Sequence, residues 1–108
     1  MQIYRVIVRG RFSDLDPITT AVLLDELERT DELDSYTFTK DGTLTFDRRL
    51  DFWSVRVEVR VPDDSSDDPK TTAFERATGI AQEHLSRRGA AGKDLRVTGQ
   101  AMADVWRD

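Results

Sequence analysis

The sequence contains no cysteine and a single histidine, His84. Without cysteine there is no disulfide, no thiolate nucleophile and no cysteine-based zinc site. That fits a reducing cytoplasm, the expected location. One histidine leaves no pair at metal spacing, and neither a Gly-rich phosphate loop nor a G-x-S-x-G turn occurs. No cofactor or metal is expected. Long apolar runs are missing too, so no membrane partner is expected. The N-terminal M-Q-I-Y-R-V-I-V-R-G carries arginines inside its apolar run and has no small-residue cleavage site, so it reads as a strand rather than a signal peptide. Lysine is scarce: Arg supplies 13 of the 16 basic residues, a bias that points to a GC-rich genome before any function. The net charge of -5 argues against non-specific nucleic-acid binding, and nucleic acid is not among the expected partners.

What is present is organised around W-S-V-R-V-E-V-R-V at 53–61. Trp53, Val55, Val57, Val59 and Val61 fall on one face of an extended strand; Ser54, Arg56, Glu58 and Arg60 fall on the other. Strict period-two alternation with β-branched residues marks a strand with one dry face, as antiparallel sheets allow. Residues 2–12 form a second such strand. Tyr4, Val6, Val8, Gly10 and Phe12 share one face, and Ile3, Arg5, Ile7, Arg9 and Arg11 the other.

Asp16-Pro17 and Asp68-Pro69 each combine an N-cap with proline at the first helical position. The first predicted helix runs to about Thr30 with a stripe of Ile18, Ala21, Val22, Leu24 (or Leu23) and Leu27 facing inward. The second runs from Lys70 to about Arg88, with Ala73, Phe74, Ala77, Ile80, Ala81 and Leu85 inward and Gly89 or Gly92 as the stop. Between the first helix and 53–61, residues 36–39 and 43–47 read locally as a hairpin about Asp41-Gly42, but strand directions favour 36–39 as an edge piece, an extended lead-in or part of a strand bulged at Asp41-Gly42. Asp47–Asp51 is then the hairpin loop. Residues 62–69, P-D-D-S-S-D-D-P, read as a mobile acidic loop; calcium is the alternative there, but the spacing lacks the regular alternation of a calcium loop. A last strand starts near Asp94, with Leu95 and Val97 inward. The tail at 101–108 keeps Met102, Val105 and Trp106, too apolar to be left in water.

The order strand, helix, two strands, helix, strand predicts one domain over residues 1–108. The expected class is α+β: a ferredoxin-like split βαβ sandwich, with a four-stranded antiparallel sheet and two helices on one face. The opposite sheet face then carries Ile3, Arg5, Ile7 and Arg9 beside Phe52, Arg56, Glu58 and Arg60. The expectation is a homodimer in which Ile3, Ile7, Phe52, Met102 and Trp106 pack against a second copy; the competing reading is a solvated face whose Arg–Glu pairs contribute little. Arg5, Arg9, Arg56 and Arg60 are the candidate ligand-binding residues. RNA binding on this face would need paired aromatics on its strands, which carry valine and arginine instead. Acid–base chemistry would have to come from Tyr4, Asp47, Asp51, Glu58 or His84, and His84 is the residue type that more often packs at the border of an apolar stripe.

V-I-V-R-G-R-F at 6–12, F-T-K-D-G-T-L-T-F-D at 38–47 and M-A-D-V-W-R at 102–107 together resemble a family of small actinobacterial proteins known only as a domain of unknown function. The resemblance spans nearly the whole chain and implies a compact α+β domain in the cytoplasm. It implies no activity, cofactor or catalytic residue. The expected function is a homodimeric module that binds a small ligand or a protein partner. The alternative is a cofactor-free cyclase, isomerase or monooxygenase-like enzyme of dimeric α+β barrel type, acting on an anionic or enolisable metabolite.

Overall fold

The computed structural model describes residues 1–29, 36–62 and 68–102. The element order is β1 (Gln2–Phe12), α1 (Pro17–Arg29), β2 (Thr43–Phe46), β3 (Phe52–Val61), α2 (Pro69–Arg87) and β4 (Gly92–Ala101). The strands form one sheet in the order β2-β3-β1-β4, with every named pair antiparallel. This is the ferredoxin-like α+β arrangement.

Alternation sets the register. Val6 pairs with Val57 and Val8 with Val55, so the valines of the two central strands meet on the face toward the helices. All are fully buried, each worth roughly 1.5–3 kcal/mol relative to exposure. Trp53 is the largest side chain in this core. Its Nε1 donates to the Arg11 carbonyl at 3.1 Å. A Cβ on Gly10 or Gly92 would lie 2.6 or 2.5 Å from its ring, so both positions need glycine for the indole to fit.

The helix signals act as the sequence implies. Asp16 accepts from the Thr19 amide at 2.7 Å and Asp68 from the Thr71 amide at 3.2 Å. Asp68 and Pro69 therefore start α2 rather than belonging to an acidic loop; residues 63–67, with the calcium alternative, lie outside the described residues. Gly89, at φ 77°, ends α2. Its amide donates to the Ser86 carbonyl and that of Ala90 to the Leu85 carbonyl, a left-handed cap that glycine adopts at little cost.

Alpha-1 departs from expectation. Thr19 and Leu23 are its buried residues, while Ile18, Val22 and Leu24 are exposed and Ala21 faces solvent. The phase of the helix is set at the end of α2. Thr19 Oγ1 donates to the Gly89 carbonyl, and Glu26 receives a two-pronged hydrogen bond from Arg88. Those contacts turn Leu23, not Ile18 and Val22, toward the core.

The segment before β2 neither pairs with it nor continues it. Thr39 makes one parallel bridge to Val57, its carbonyl accepting from the Glu58 amide at 2.8 Å. The chain reverses at Asp41-Gly42 (Gly42 φ 85°) and returns along the same edge of β3 as β2. Tyr36–Thr39 is thus a lead-in, and Asp47–Asp51 is the hairpin loop, closed by Leu50 N to Asp47 O.

Candidate anion-binding face

The alternation that buries the valines leaves every second residue on the side away from the helices. Beta-1 contributes Ile3, Arg5, Ile7, Arg9 and Arg11, and β3 contributes Phe52, Ser54, Arg56, Glu58 and Arg60. Through pairing, Thr43 and Thr45 of β2 and Lys93, Arg96, Thr98 and Gln100 of β4 join the same face. The four expected ligand-binding arginines and Ile3, Ile7 and Phe52 are therefore coplanar. Met102 follows the end of β4 and is half-buried; Trp106 lies outside the described residues.

Charge on this face is predominantly positive: Glu58 stands opposite Arg5, Asp47 and Asp94 line depressions at its edges, and the other charged residues are cations. Arg9 stands opposite Arg96 and next but one to Arg56. Among the described residues the ion pairs lie on the helices, at Arg29–Asp25, Arg87–Glu83 and Arg88–Glu26. None of the sheet-face arginines pairs with a described carboxylate. Arg56 is held below the ordinary arginine range, first by partial burial and next by the charge of Arg9. Its Nη1 donates to Thr45 Oγ1 and Ser54 Oγ, both at 3.3 Å, and those hydroxyls are 2.7 Å apart. A hydroxyl pair orients the guanidinium without neutralising it.

Aromatic rings lie among these cations, which the strand alternation alone did not show. The lead-in lays Tyr36 against Arg56 (guanidinium carbon to ring centre 4.9 Å) and Phe38 against Arg5 (5.4 Å). Phe52 sits by Arg11 at 5.5 Å. A guanidinium at such distances is attracted to the ring face. The only sequence signal was the alternation of Tyr36 and Phe38 with threonine just before a turn.

Among the described residues, open depressions lie along the face. One of about 420 Å³ is lined by Arg9, Tyr36, Thr45, Phe52, Ser54 and Arg56. Another, of about 680 Å³, lies across Arg9 and Phe52 from it and is lined by Arg11, Asp94, Leu95 and Arg96. Here β1 and β4 shift register: Arg9 pairs with Arg96 but Arg11 with Lys93, so Asp94 and Leu95 oppose Gly10. Asp94 takes the left-handed φ of 54° at this bulge, a device that re-aims strand side chains. A further one, of about 440 Å³, lies between Arg5, Ile7, Phe38, Thr98 and Gln100.

The acid–base candidates do not converge. Tyr4 is buried on the helix side and donates to Gln2 Oε1 at 2.8 Å. His84, on α2, has Nε2 2.6 Å from the Asp41 carbonyl and Nδ1 toward Arg88; it locks the turn before β2 to the helix. Asp47 reaches the rim of the first depression, where it accepts from the Asp51 amide. Among the described residues no group of three or more His, Cys, Asp or Glu could hold a metal ion, and no helix is long and apolar enough to cross a membrane.

Fold and face together define a small α+β domain with an open, arginine-rich sheet surface and no assembled acid–base centre among the described residues. Over residues 1–107 the chain matches a family of unknown function (DUF6204), and it belongs to that family. No curated protein and no solved structure matches it.

Proposed function

We propose that the protein is a cytoplasmic binding module whose open sheet face takes an anionic ligand, with Arg9 and Arg56 at the centre and Arg5, Arg60 and Arg96 around them. The observation that carries this reading is the Arg9–Arg56 pair bordering one depression whose rim carboxylate, Asp47, accepts from the Asp51 amide and is in none of the ion pairs of the described residues. Like charges held close without a counter-charge are costly unless an anion completes the set. Scattered acid–base candidates make binding a better reading than catalysis.

Self-association follows from the same charges. Ile3, Ile7 and Phe52 offer apolar contact to a second copy, but two such faces set arginine against arginine, and like-charge juxtaposition costs several kcal/mol. The homodimer therefore forms with the anion held between the faces. Calorimetric titration with tripolyphosphate tests the ligand reading. Saturable binding is expected, weakened more than about tenfold in Arg9→Gln and Arg56→Gln, since a hydrogen bond to a charged group contributes about 1.5–3 kcal/mol, and unchanged in Arg87→Gln on α2. Absent binding, or equal loss in all three variants, sinks it. Light scattering with and without tripolyphosphate reads the assembly: a dimer that forms without anion contradicts anion-held pairing.

A further inference from the structure

We propose that the anion is single-stranded nucleic acid, its bases stacked on Tyr36, Phe38 and Phe52 and its phosphates on the arginines beside those rings; this rests on the anion-binding reading above. Each ring stands by a different arginine: Tyr36 by Arg56, Phe38 by Arg5 and Phe52 by Arg11. A planar group beside a cation, repeated, matches a ligand that repeats a planar base beside a phosphate. Stacking on aromatics within a cationic groove is how sequence-tolerant single-strand binders work.

The extent of the face favours a linear ligand. Arg5 and Arg11 are six residues apart on β1, about 20 Å at roughly 3.3 Å per residue. The depressions along that length are open, whereas a site for one small molecule encloses most of it. A compact anion would satisfy one ring–arginine pair and leave the others unmet. An acidic peptide would meet the arginines but offers no planar group at each repeat. Tyr36 and Phe52 are 65% and 59% exposed, so their outer faces are open to a base.

The net charge of -5 does not oppose this. Asp25, Glu26, Glu28, Glu75 and Glu83 lie on the helices, which pack on the other side of the sheet. They count toward the net charge without facing the sheet-face arginines. Phe52 was expected on this face; the aromatics the strands lack, Tyr36 and Phe38, come from the lead-in.

Fluorescence anisotropy with labelled oligothymidylate and oligouridylate tests the proposal, with a duplex, inorganic polyphosphate and polyglutamate as competitors. Single strands should bind with a log–log salt slope of about -2, for about three phosphates at roughly 0.7 each. Tyr36→Ala and Phe52→Ala should each weaken oligonucleotide binding by about fivefold or more and leave polyphosphate competition unchanged; Arg9→Gln and Arg56→Gln should weaken both. If polyphosphate binds as well as the oligonucleotide and the ring variants change nothing, the nucleic-acid assignment falls while the anion site stands. If neither binds, both fall. Equal binding of duplex, or tighter binding of polyglutamate, also overturns the single-strand assignment.

Discussion

Arg9→Gln should make the free protein more stable. Arg9 is exposed, directly opposite Arg96 and diagonal to Arg56. Directly opposed strand residues have Cβ atoms about 5 Å apart and diagonal ones about 7–8 Å apart. Unit charges at those separations in a water-like dielectric repel by about 0.8 and 0.5 kcal/mol. Removing the Arg9 charge and keeping a side chain of similar reach should therefore stabilise the fold by about 1 kcal/mol at low ionic strength. For a domain of this size that is a rise in Tm of about 4 °C. Urea unfolding of wild type and variant at low and high salt is the assay. The difference should shrink as salt screens the exposed charges, and the same variant should lose anion binding. A variant that is less stable, or whose gain is independent of salt, would refute the claim that this face is held under repulsion.

Other consequences follow from the core and the caps. Gly10→Ala places a methyl 2.6 Å from the Trp53 ring with a backbone carbonyl at 3.0 Å behind it, so it should cost about 1–3 kcal/mol by overpacking, read as a lower urea midpoint. Arg88→Ala removes the fork to Glu26, whose partners are 20% and 33% exposed. It should cost about 1 kcal/mol, and native-state hydrogen exchange should speed up in α1 before α2, because α1 buries little else. The Asp16 carboxyl is held below its ordinary value of 3.8, first by the Thr19 amide and then by the Thr19 hydroxyl. Its contribution to α1 is complete above that value and lost as pH falls through the lower folded value. Asp16→Asn should remove this part of the acid dependence in a circular-dichroism titration, and an unchanged profile would show that the cap is not formed in solution.

The residues that proved legible in the sequence are those whose contacts are local or strictly periodic. The Val55–Val61 alternation places the register and the cationic face, and the two Asp-Pro pairs place both helix starts. Arg5, Arg9, Arg56 and Arg60 could be assigned to one surface because a strand has only two sides. Alpha-1 was not readable in this way. Leu23 and Leu24 are neighbours, and the choice between them depends on Gly89 and Arg88, far away in the chain. Nor were Tyr36 and Phe38 readable as part of the face. They reach it because the chain reverses at Asp41-Gly42, and no periodicity within 36–39 encodes where that turn leaves their rings. The feature that most changes the functional reading thus comes from tertiary geometry.

The central claim is that the open sheet face is an anion site, and two-dimensional NMR with tripolyphosphate tests it most directly. Backbone and guanidinium resonances of Arg9, Arg56 and Arg96, with the Phe52 amide, should shift together and saturate, while Glu83 and Arg87 on the outer side of α2 stay in place. Shifts that cluster on the helices, or that spread over the surface without saturating, would contradict it.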